Sequence, residues 1–371
     1  MTTKNVPFLD LERAFADLGE AAEKALIDVA RSGTYILGPN VAALEEEMAS
    51  YLGAQHAVAV GSGTDALHLA VAAAGLGPGD EVITTPFTFA ATVEAIEYVG
   101  AKPVLVDIDP DTYNIDPETV RSAVTEKTRG VIPVHLFGLP ADMQEIMAIA
   151  SEHDIAVIED AAQSLGAKLN DQQSGSIGLA GAFSFYPSKT LGCFGDGGMI
   201  ATNDSAFFQR LKELRNHGFD AAGEHVRLGY NSRLDEMHAA ILRIKLKQLD
   251  AANRRRRDIA SHYNDVFTTN GAKVQHVPDG YYHAYGYYTL CVDNRDQVRA
   301  RLRADGVATA LYYGKPLSHH AHYAESCRYG SLAHAEDISQ RCLALPIFPE
   351  MDDSEVEYVA SRTVAAFTSS G

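Results

Sequence analysis

The chain has 371 residues, of which 46% are hydrophobic and 22% are charged, so it can bury a substantial core and is expected to form two domains. Its formal net charge of −18 argues against a broad electropositive surface for nucleic acid or anionic membranes. The sequence shows no apolar run near the roughly 20 residues of a membrane span, and no apolar signal-peptide core at its start. We therefore expect a soluble, cytoplasmic protein with neither a nucleic-acid nor a membrane partner.

Seven short strand-like runs occur in the first two-thirds of the chain, and several are apolar throughout, as in strands buried on both faces. These runs are residues 56–61, 81–86, 102–108, 130–135, 155–160, 181–186 and 197–203. Helix-like stretches lie between the early runs. This alternation predicts an α/β domain with a mainly parallel sheet covered by helices.

A long amphipathic helix is predicted to begin at Leu234 and to link two domains. The four arginines at 254–257 could suggest nucleic acid, but on a helix they point around the cylinder and favour a solvated face. Beyond this helix, the strand-like run 285–292 and a final helix predict a smaller α+β domain. The predicted boundaries are 1–245 for the large α/β domain and 246–371 for the small one.

Four cysteines are spread over the second half of the chain without a Cys-x-x-Cys pair. This spacing suggests neither a zinc site nor a disulfide framework. We therefore expect no bound metal and four reduced thiols, which are Cys193, Cys291, Cys327 and Cys342.

The first glycine-rich turn lies between a strand-like and a helix-like run, and it could belong to a dinucleotide site. Gly61, Gly63 and Ala66 fit the G-x-G-x-x-A fingerprint, which would predict a nicotinamide dehydrogenase. The fingerprint also needs an acidic residue at the end of the second strand. Glu81 has the right spacing, but it opens that strand instead of ending it.

The same turn also suits a smaller anion. Ser62, Gly63 and Thr64 offer N–H groups and hydroxyls at a helix N-terminus, which fits a single phosphate. A plain turn with Thr64 or Asp65 as the helix cap is the structural alternative.

Two acidic residues, Glu159 and Asp160, end the apolar run 155–160. Their side chains point to opposite faces of a sheet, so one of them can face a site at the carboxyl ends of the strands. A carboxylate there is costly unless it meets a cation. Pyridoxal phosphate supplies one, because a carboxylate beside the ring nitrogen keeps the ring protonated. This cofactor also needs an amine, a phosphate cup and an aromatic face.

The sequence offers a candidate for each of these requirements. Lys189 in FSFYPSKTLGCFGDGG is the amine, Ser184 joins the first glycine turn as the phosphate cup, and Phe89 in TPFTFAAT is the aromatic face. A lone lysine is most often a solvated surface group. Here a strand exits into a close-packed glycine loop, where nearby cations would help to depress the amine pKa. These surroundings make Lys189 a candidate for a reactive amine in a pocket instead of a surface charge.

With these motifs in place, the chain resembles the DegT/DnrJ/EryC1/StrS sugar aminotransferases, which are fold-type I pyridoxal-phosphate enzymes. The resemblance covers essentially the whole chain, in ordered motifs that include SGTYILGP, GSGTDAL, VIEDAAQSLGA, FSFYPSKTLGCFGDGG, GYNSRLDEMHAAIL and LALPIFPE. It implies a three-layer fold with a mainly parallel seven-stranded sheet and a smaller C-terminal α+β domain.

The resemblance also implies roles for the cofactor residues. Lys189 binds pyridoxal 5′-phosphate covalently and later carries the proton, while Asp160 partners the pyridine nitrogen. Gln163 contacts the 3-hydroxyl side of the ring, and Phe89 stacks on the ring. The implied phosphate contacts are Ser62, Gly63, Thr64, Ser184 and, from the neighbouring subunit, Asn231. The protein is thus expected to be a homodimer with shared sites.

By the same resemblance, an amino acid, expected to be L-glutamate, donates its amino group to a keto group of a nucleotide-diphosphate sugar in deoxyaminosugar biosynthesis. Tyr186, Arg227 and Tyr313 are the implied substrate contacts. Many relatives carry a His-Tyr pair where this chain has Tyr312-Tyr313, so only Tyr313 carries over. Arg227 could hold a diphosphate or a sugar carboxylate, or could be a structural arginine on the surface.

Three other activities occur as alternatives to this one. Dehydratases of the family replace the cofactor lysine by histidine, so Lys189 excludes that branch. Amination of a keto-cyclitol remains an alternative within the class. A non-catalytic regulator that binds the cofactor is an alternative from another class, and the intact pair of Lys189 and Asp160 disfavours it.

Overall fold

The structure is a computed structural model that describes residues 4–368. Its β-strands in chain order are β1 (His56–Val60), β2 (Glu81–Thr84), β3 (Lys102–Leu105), β4 (Thr128–Val131), β5 (Ala156–Asp160), β6 (Lys168–Leu169), β7 (Gln172–Gln173), β8 (Ala180–Ser184), β9 (Gly198–Thr202), β10 (Lys273–Val274), β11 (Tyr281–Tyr282), β12 (Tyr288–Cys291), β13 (Arg328–Tyr329) and β14 (Cys342–Leu345).

Its α-helices in chain order are α1 (Leu11–Ser32), α2 (Pro39–Leu52), α3 (Gly63–Ala73), α4 (Ala91–Tyr98), α5 (Pro117–Ala123), α6 (Met143–His153), α7 (Ser205–Arg215), α8 (Glu236–Leu246), α9 (Leu249–Thr269), α10 (Arg295–Ala304), α11 (Ala321–Ser326), α12 (Ala333–Arg341) and α13 (Asp353–Thr368). Short 3-10 turns cover Leu136–Gly138 and Leu317–His319. Among residues 4–368, none of the helices combines the length and apolar character needed to cross a membrane.

Eight strands form the central sheet, in the order β1-β9-β8-β5-β4-β2-β3-β13. The pairs from β8 to β13 are parallel, whereas β9 runs antiparallel to both of its neighbours. All seven predicted strands are in this sheet, which confirms the α/β fold class. The predicted strand number is wrong by one, because the two-residue strand β13 is too short to show any periodicity in the sequence.

Side chains alternate between two packed layers on either side of the sheet. Val58 and Ile200 pack in one apolar cluster with helices α3 and α7, whereas Ala59 and Met199 pack in another with α2 and α8. This alternation is the period of two that a strand imposes. Apolar runs such as 56–61 are buried on both faces for this reason.

The predicted long helix from Leu234 is two helices, α8 and α9, which are separated at Lys247 and Gln248. Leu242 and Leu249 lie on either side of the break and are buried in the same apolar cluster. The apolar spacing therefore continues across the break without proline or glycine, and periodicity alone does not reveal it.

The predicted solvated face of the four arginines is correct for Arg254 and wrong for Arg256, which is buried. Arg255 donates to the carbonyl of Met351 over 2.7 Å, and the Arg257 guanidinium lies 4.0 Å from the ring centre of Tyr282. Helix α9 packs against other parts of the chain, so these arginines stabilise the fold.

A smaller antiparallel sheet, in the order β10-β12-β14, lies in the C-terminal part of the chain. It packs with α9, α10 and α13 around an apolar cluster that includes Phe267, Leu290 and Phe348. These elements match the α+β composition predicted for residues 246–371. The boundary at 246 and the cytoplasmic location stay predictions.

Candidate active site

A cavity of about 480 Å³ opens at the carboxyl ends of β1, β2, β5 and β8. The turns that follow these strands line it, because parallel strands end at the same edge of a sheet. Ten of the twelve predicted site residues line the cavity, namely Ser62, Gly63, Thr64, Phe89, Asp160, Gln163, Ser184, Tyr186, Lys189 and Tyr313. The other two, Arg227 and Asn231, lie outside it and are exposed.

The first glycine turn brings a helix N-terminus to the cavity wall. Ser62 caps α3 by accepting a 3.0 Å hydrogen bond from the N–H of Asp65, so the proposed caps Thr64 and Asp65 are wrong. The first N–H groups of a helix have no intrahelical partner, which leaves those of Gly63 and Thr64 suited to an anion. A Cβ at Gly63 would lie 2.6 Å from the Cβ of Ser184, so only glycine fits between the two turns.

Asp160 and Glu159 point to opposite faces of the sheet, as predicted from their position at the end of β5. Glu159 is fully buried and accepts hydrogen bonds from His135 Nε2 and from the N–H groups of Gly175, Ile177 and Gly178, at 2.7–2.8 Å. These four donors satisfy the Glu159 carboxylate inside the protein, so it contributes to the fold.

Asp160 faces the cavity and has fewer partners. Its Oδ2 accepts from the hydroxyl of Thr92 over 2.8 Å, and its Oδ1 accepts from the N–H of Ala162 over 3.2 Å. Burial raises the pKa of this carboxyl group, and the two hydrogen bonds and Lys189 only partly oppose that shift. A buried carboxylate with so little compensation suits a cationic group in the cavity.

Lys189 follows β8 in the loop that closes the cavity, and its side chain is half-buried. Burial of the amine lowers the pKa of Lys189 to about 8, and the nearby Asp160 carboxylate opposes this shift. The expectation that neighbouring cations depress this pKa is therefore wrong, because loss of solvent is the cause. A substantial neutral fraction near pH 8 is what a nucleophilic amine needs.

Aromatic side chains form the rest of the wall, and the sequence pattern indicated only some of them. Phe89 and Tyr186 are 60% and 54% exposed, so both present ring surface to the cavity. Tyr287 and Tyr312 were missed, and their ring centres lie 4.5 Å apart. Their only signal in the sequence is the tyrosine-rich composition of two runs far from Lys189.

Gln163 connects the floor of the cavity to this wall. Its Oε1 accepts from the N–H of Phe137 over 2.7 Å, and its Nε2 donates to the hydroxyl of Tyr313 over 2.9 Å. These bonds fix the amide orientation beside Asp160. Gln163 is therefore positioned by the fold itself.

The cavity lining contains little positive charge. Among the described residues that line it, Lys189 is the one lysine or arginine, and Asp196 adds a carboxylate that was not predicted. Arg227 Nε lies 2.6 Å from Glu213 Oε2, which matches the structural alternative for this arginine. A diphosphate bound in this cavity would therefore need arginine or lysine side chains from residues that do not line it.

The sequence of the chain also matches the model of a known protein family. The DegT/DnrJ/EryC1/StrS aminotransferase family model matches residues 16–364 of the chain. The chain belongs to this family. The dehydrogenase interpretation of the glycine turn is thereby removed, and Glu81 instead accepts from Thr125 over 2.7 Å and pairs with Arg328 over 3.0 Å.

Three relatives match the chain over nearly their full length. A pleiotropic regulatory protein of Geobacillus stearothermophilus is 46% identical, over 96% of this chain and 97% of the relative. A UDP-N-acetyl-3-dehydro-alpha-D-glucosamine 3-aminotransferase of Acidithiobacillus ferrooxidans is 43% identical, over 96% of each. A UDP-2-acetamido-2-deoxy-3-oxo-D-glucuronate aminotransferase of Pseudomonas aeruginosa is 39% identical, over 96% and 99%.

Solved structures of the family have the same fold. A DegT DnrJ EryC1 StrS aminotransferase of Brucella abortus superposes with a TM-score of 0.94 at 37% identity, covering 98% of this chain and 100% of that one. NtdA of Bacillus subtilis, solved with bound cofactor PMP, has a TM-score of 0.91 at 30% identity and covers 99% and 86%. The predicted family and fold-type I architecture are confirmed.

Proposed function

We propose that this protein is a pyridoxal phosphate-dependent aminotransferase that moves an amino group from L-glutamate to the C3 keto group of a UDP-linked sugar. The observation that carries the proposal is the meeting of Lys189, Asp160 and the α3 N-terminus in one cavity at the strand ends. The relatives that act on 3-keto UDP sugars support the choice of sugar and of carbon.

The cofactor prediction is confirmed by membership of an aminotransferase family and by the PMP bound in NtdA. The residues present fit this group, because the Asp160 carboxylate is only partly compensated and suits its ring nitrogen, and the α3 N-terminus beside Ser184 suits its phosphate. When bound, the cofactor supplies an electron sink for the bonding electrons that deprotonation leaves on a substrate carbon.

The residues of the chain would perform the remaining steps. Lys189 Nζ takes the proton from the α-carbon of the donor amino acid in the first half-reaction, and it delivers a proton to the sugar carbon in the second. Asp160 would partner the ring nitrogen through its negative charge, and the hydroxyl of Thr92 orients this carboxylate. Phe89 and Tyr186 line the cavity and would restrict the access of water to a group bound there.

A paired substrate test examines the proposal and the role of Arg227. Purified enzyme is given L-glutamate and either UDP-2-acetamido-2-deoxy-3-oxo-D-glucuronate or its neutral 3-keto glucosamine counterpart, and the amino sugar is measured by mass spectrometry. If Arg227 binds the sugar carboxylate, Arg227→Ala should lose about tenfold or more in kcat/KM for the uronate alone. If it binds the diphosphate, the KM should rise for both sugars alike.

The control for this test keeps Arg227 and removes its partner within the chain. Glu213→Gln loses the charge that holds Arg227 at 2.6 Å, so a structural role of the pair would lower the melting temperature of both variants. If Arg227→Ala has unchanged kinetics with every sugar that the enzyme accepts, Arg227 has a structural role and does not bind the substrate. Failure of the wild type to aminate either sugar, with turnover of a keto-cyclitol, would favour that alternative activity.

One observation favours the alternative that the protein is a regulator, because the Geobacillus relative is named a pleiotropic regulatory protein. A regulator would bind the cofactor without turning over glutamate. Conversion of L-glutamate to 2-oxoglutarate in the presence of a ketosugar therefore separates the two functions, and loss of cofactor absorbance on addition of glutamate alone reports the first half-reaction.

We also propose that the enzyme is a homodimer whose sites are shared. The lack of arginine in the described cavity lining supports this, because the diphosphate of the substrate needs cations from another source. The segment before Asn231 is exposed and carries Leu228 with 85% of its surface accessible, as expected for a segment that packs on a partner.

Subunit exchange tests the shared site. Lys189→Ala and Asn231→Ala are each expected to be strongly impaired, and a mixture should regain about a quarter of the wild-type activity. Half of the dimers in a random mixture are hybrids, and each hybrid has one of two sites with both residues intact. Exchange is verified with differently tagged subunits. Exchange without any recovery would place Asn231 in the same site as its own Lys189.

A further inference from the structure

Two of the four cysteines face each other in the small antiparallel sheet. Cys291 ends β12 and Cys342 begins β14, and the two residues are direct partners in the register of these strands. Both side chains are at most 2% exposed, and neither has a role in the proposed function. Their separation by fifty other residues hides this pairing in the sequence.

The position of the pair in the ladder suits a bond between the two sulfurs. The N–H of Val292 donates to the carbonyl of Arg341 over 3.1 Å, so the neighbouring pair of residues is the hydrogen-bonded one. Pairs alternate along an antiparallel ladder, which makes Cys291 and Cys342 a non-hydrogen-bonded pair. The α-carbons of such a pair lie about 4.5 Å apart, within the range that a disulfide spans.

The surroundings of the two thiols favour reaction at Cys291. The hydroxyl of Tyr113 lies 3.3 Å from Cys291 Sγ. Hydrogen bonds from Cys342 and Tyr113 lower the pKa of Cys291, whereas the pKa of Cys342 is raised. The thiolate is the reactive form of cysteine, so Cys291 is suited to attack and Cys342 to resolve the product.

The pair also contacts the wall of the active-site cavity. Cys342 Sγ lies 3.6 Å from the carbonyl oxygen of Tyr312, which lines the cavity with Tyr313. Both cysteines belong to the apolar cluster that includes Tyr287, a third wall residue. A bond between the sulfurs would remove the thiol hydrogen that Cys342 can donate to the carbonyl of Tyr312, and would so disturb this wall.

We propose that Cys291 and Cys342 are a reversible oxidation site that forms a disulfide with hydrogen peroxide and thereby lowers activity. The Cys291 thiolate attacks one peroxide oxygen and becomes a sulfenic acid, and the released hydroxide takes up a proton to give water. Cys342 then attacks the sulfenic sulfur and releases a second water. The two thiols lose two electrons and two hydrogens in total, and the peroxide is reduced. A small oxidant is specified because the thiols are buried.

The test measures the bond itself before any activity. The holoenzyme is treated with hydrogen peroxide, the remaining thiols are alkylated, and the digest is searched for a cross-linked peptide pair that contains both cysteines. We expect this pair in the wild type, with a roughly tenfold or greater fall in kcat/KM that dithiothreitol reverses. Reversal separates the disulfide from sulfoxides at methionine, which dithiothreitol does not reduce.

The other two cysteines provide matched controls, because Cys193 and Cys327 are also buried and free. Cys193→Ala and Cys327→Ala should keep the cross-link and the reversible loss, whereas Cys291→Ala and Cys342→Ala should lose both. A wild type without the cross-link under peroxide, or a reversible loss that persists in Cys291→Ala, would overturn the proposal. The mass measurement does not depend on the proposed substrate, so its result stands apart from the proposed function.

Discussion

Replacing Lys189 by alanine is expected to abolish transamination while the protein remains folded. The change removes both the amine that binds the cofactor covalently and the group that moves the proton. General acid–base catalysis alone contributes about 10²–10⁴-fold, so the loss of kcat should be at least that large. Single-turnover formation of 2-oxoglutarate from L-glutamate measures the half-reaction in which Lys189 first acts.

Lys189→Arg is the matched control for charge. It keeps a cation in the cavity but cannot supply a neutral amine near pH 8, where the pKa of Lys189 of about 8 leaves a substantial neutral fraction. We expect it to be as inactive as the alanine variant. An exposed lysine, Lys247, should tolerate alanine without loss of activity. Turnover of Lys189→Ala near the wild-type rate, with an unchanged melting temperature, would contradict the proposed mechanism.

The parts of the site that could be predicted from the sequence are those carried by short, continuous motifs. Each motif places a chemical group directly after a strand, and parallel strands bring their carboxyl ends to one edge of the sheet. Asp160, Ser184 and the turn before α3 could therefore be placed together without knowledge of contacts. The opposite directions of Glu159 and Asp160 follow from the period of two in a strand.

The remaining features depend on contacts between distant parts of the chain. The hydroxyl of Thr92 reaches Asp160 from helix α4, and Tyr287 and Tyr312 close the wall from the C-terminal part of the chain. The burial of Arg256 depends on how α9 packs, which helical periodicity does not specify. The pairing of Cys291 with Cys342 likewise depends on strand register. Residue type and spacing carry no information on any of these contacts.

The Asp160→Asn variant is expected to lose about 10²–10⁴-fold in kcat and to keep the fold. Removing one partner from a buried ion pair costs about 3–5 kcal/mol, and the amide cannot hold the ring nitrogen in its protonated form. Asparagine has nearly the same shape and can still accept from Thr92, which donates to Asp160 over 2.8 Å. We expect the cofactor to remain bound in this variant, and its absorbance spectrum distinguishes a loss of catalysis from a loss of cofactor.

Thr92→Val separates the charge of Asp160 from its orientation. It removes the hydroxyl that donates to Oδ2 but leaves the Asp160 carboxylate and its hydrogen bond from Ala162 in place. Loss of one hydrogen bond to a charged group costs about 1.5–3 kcal/mol, so its effect on kcat should be smaller than that of Asp160→Asn. The reverse order would mean that the orientation of the carboxylate matters more than its charge. Near wild-type kcat in Asp160→Asn would remove this residue from its proposed role.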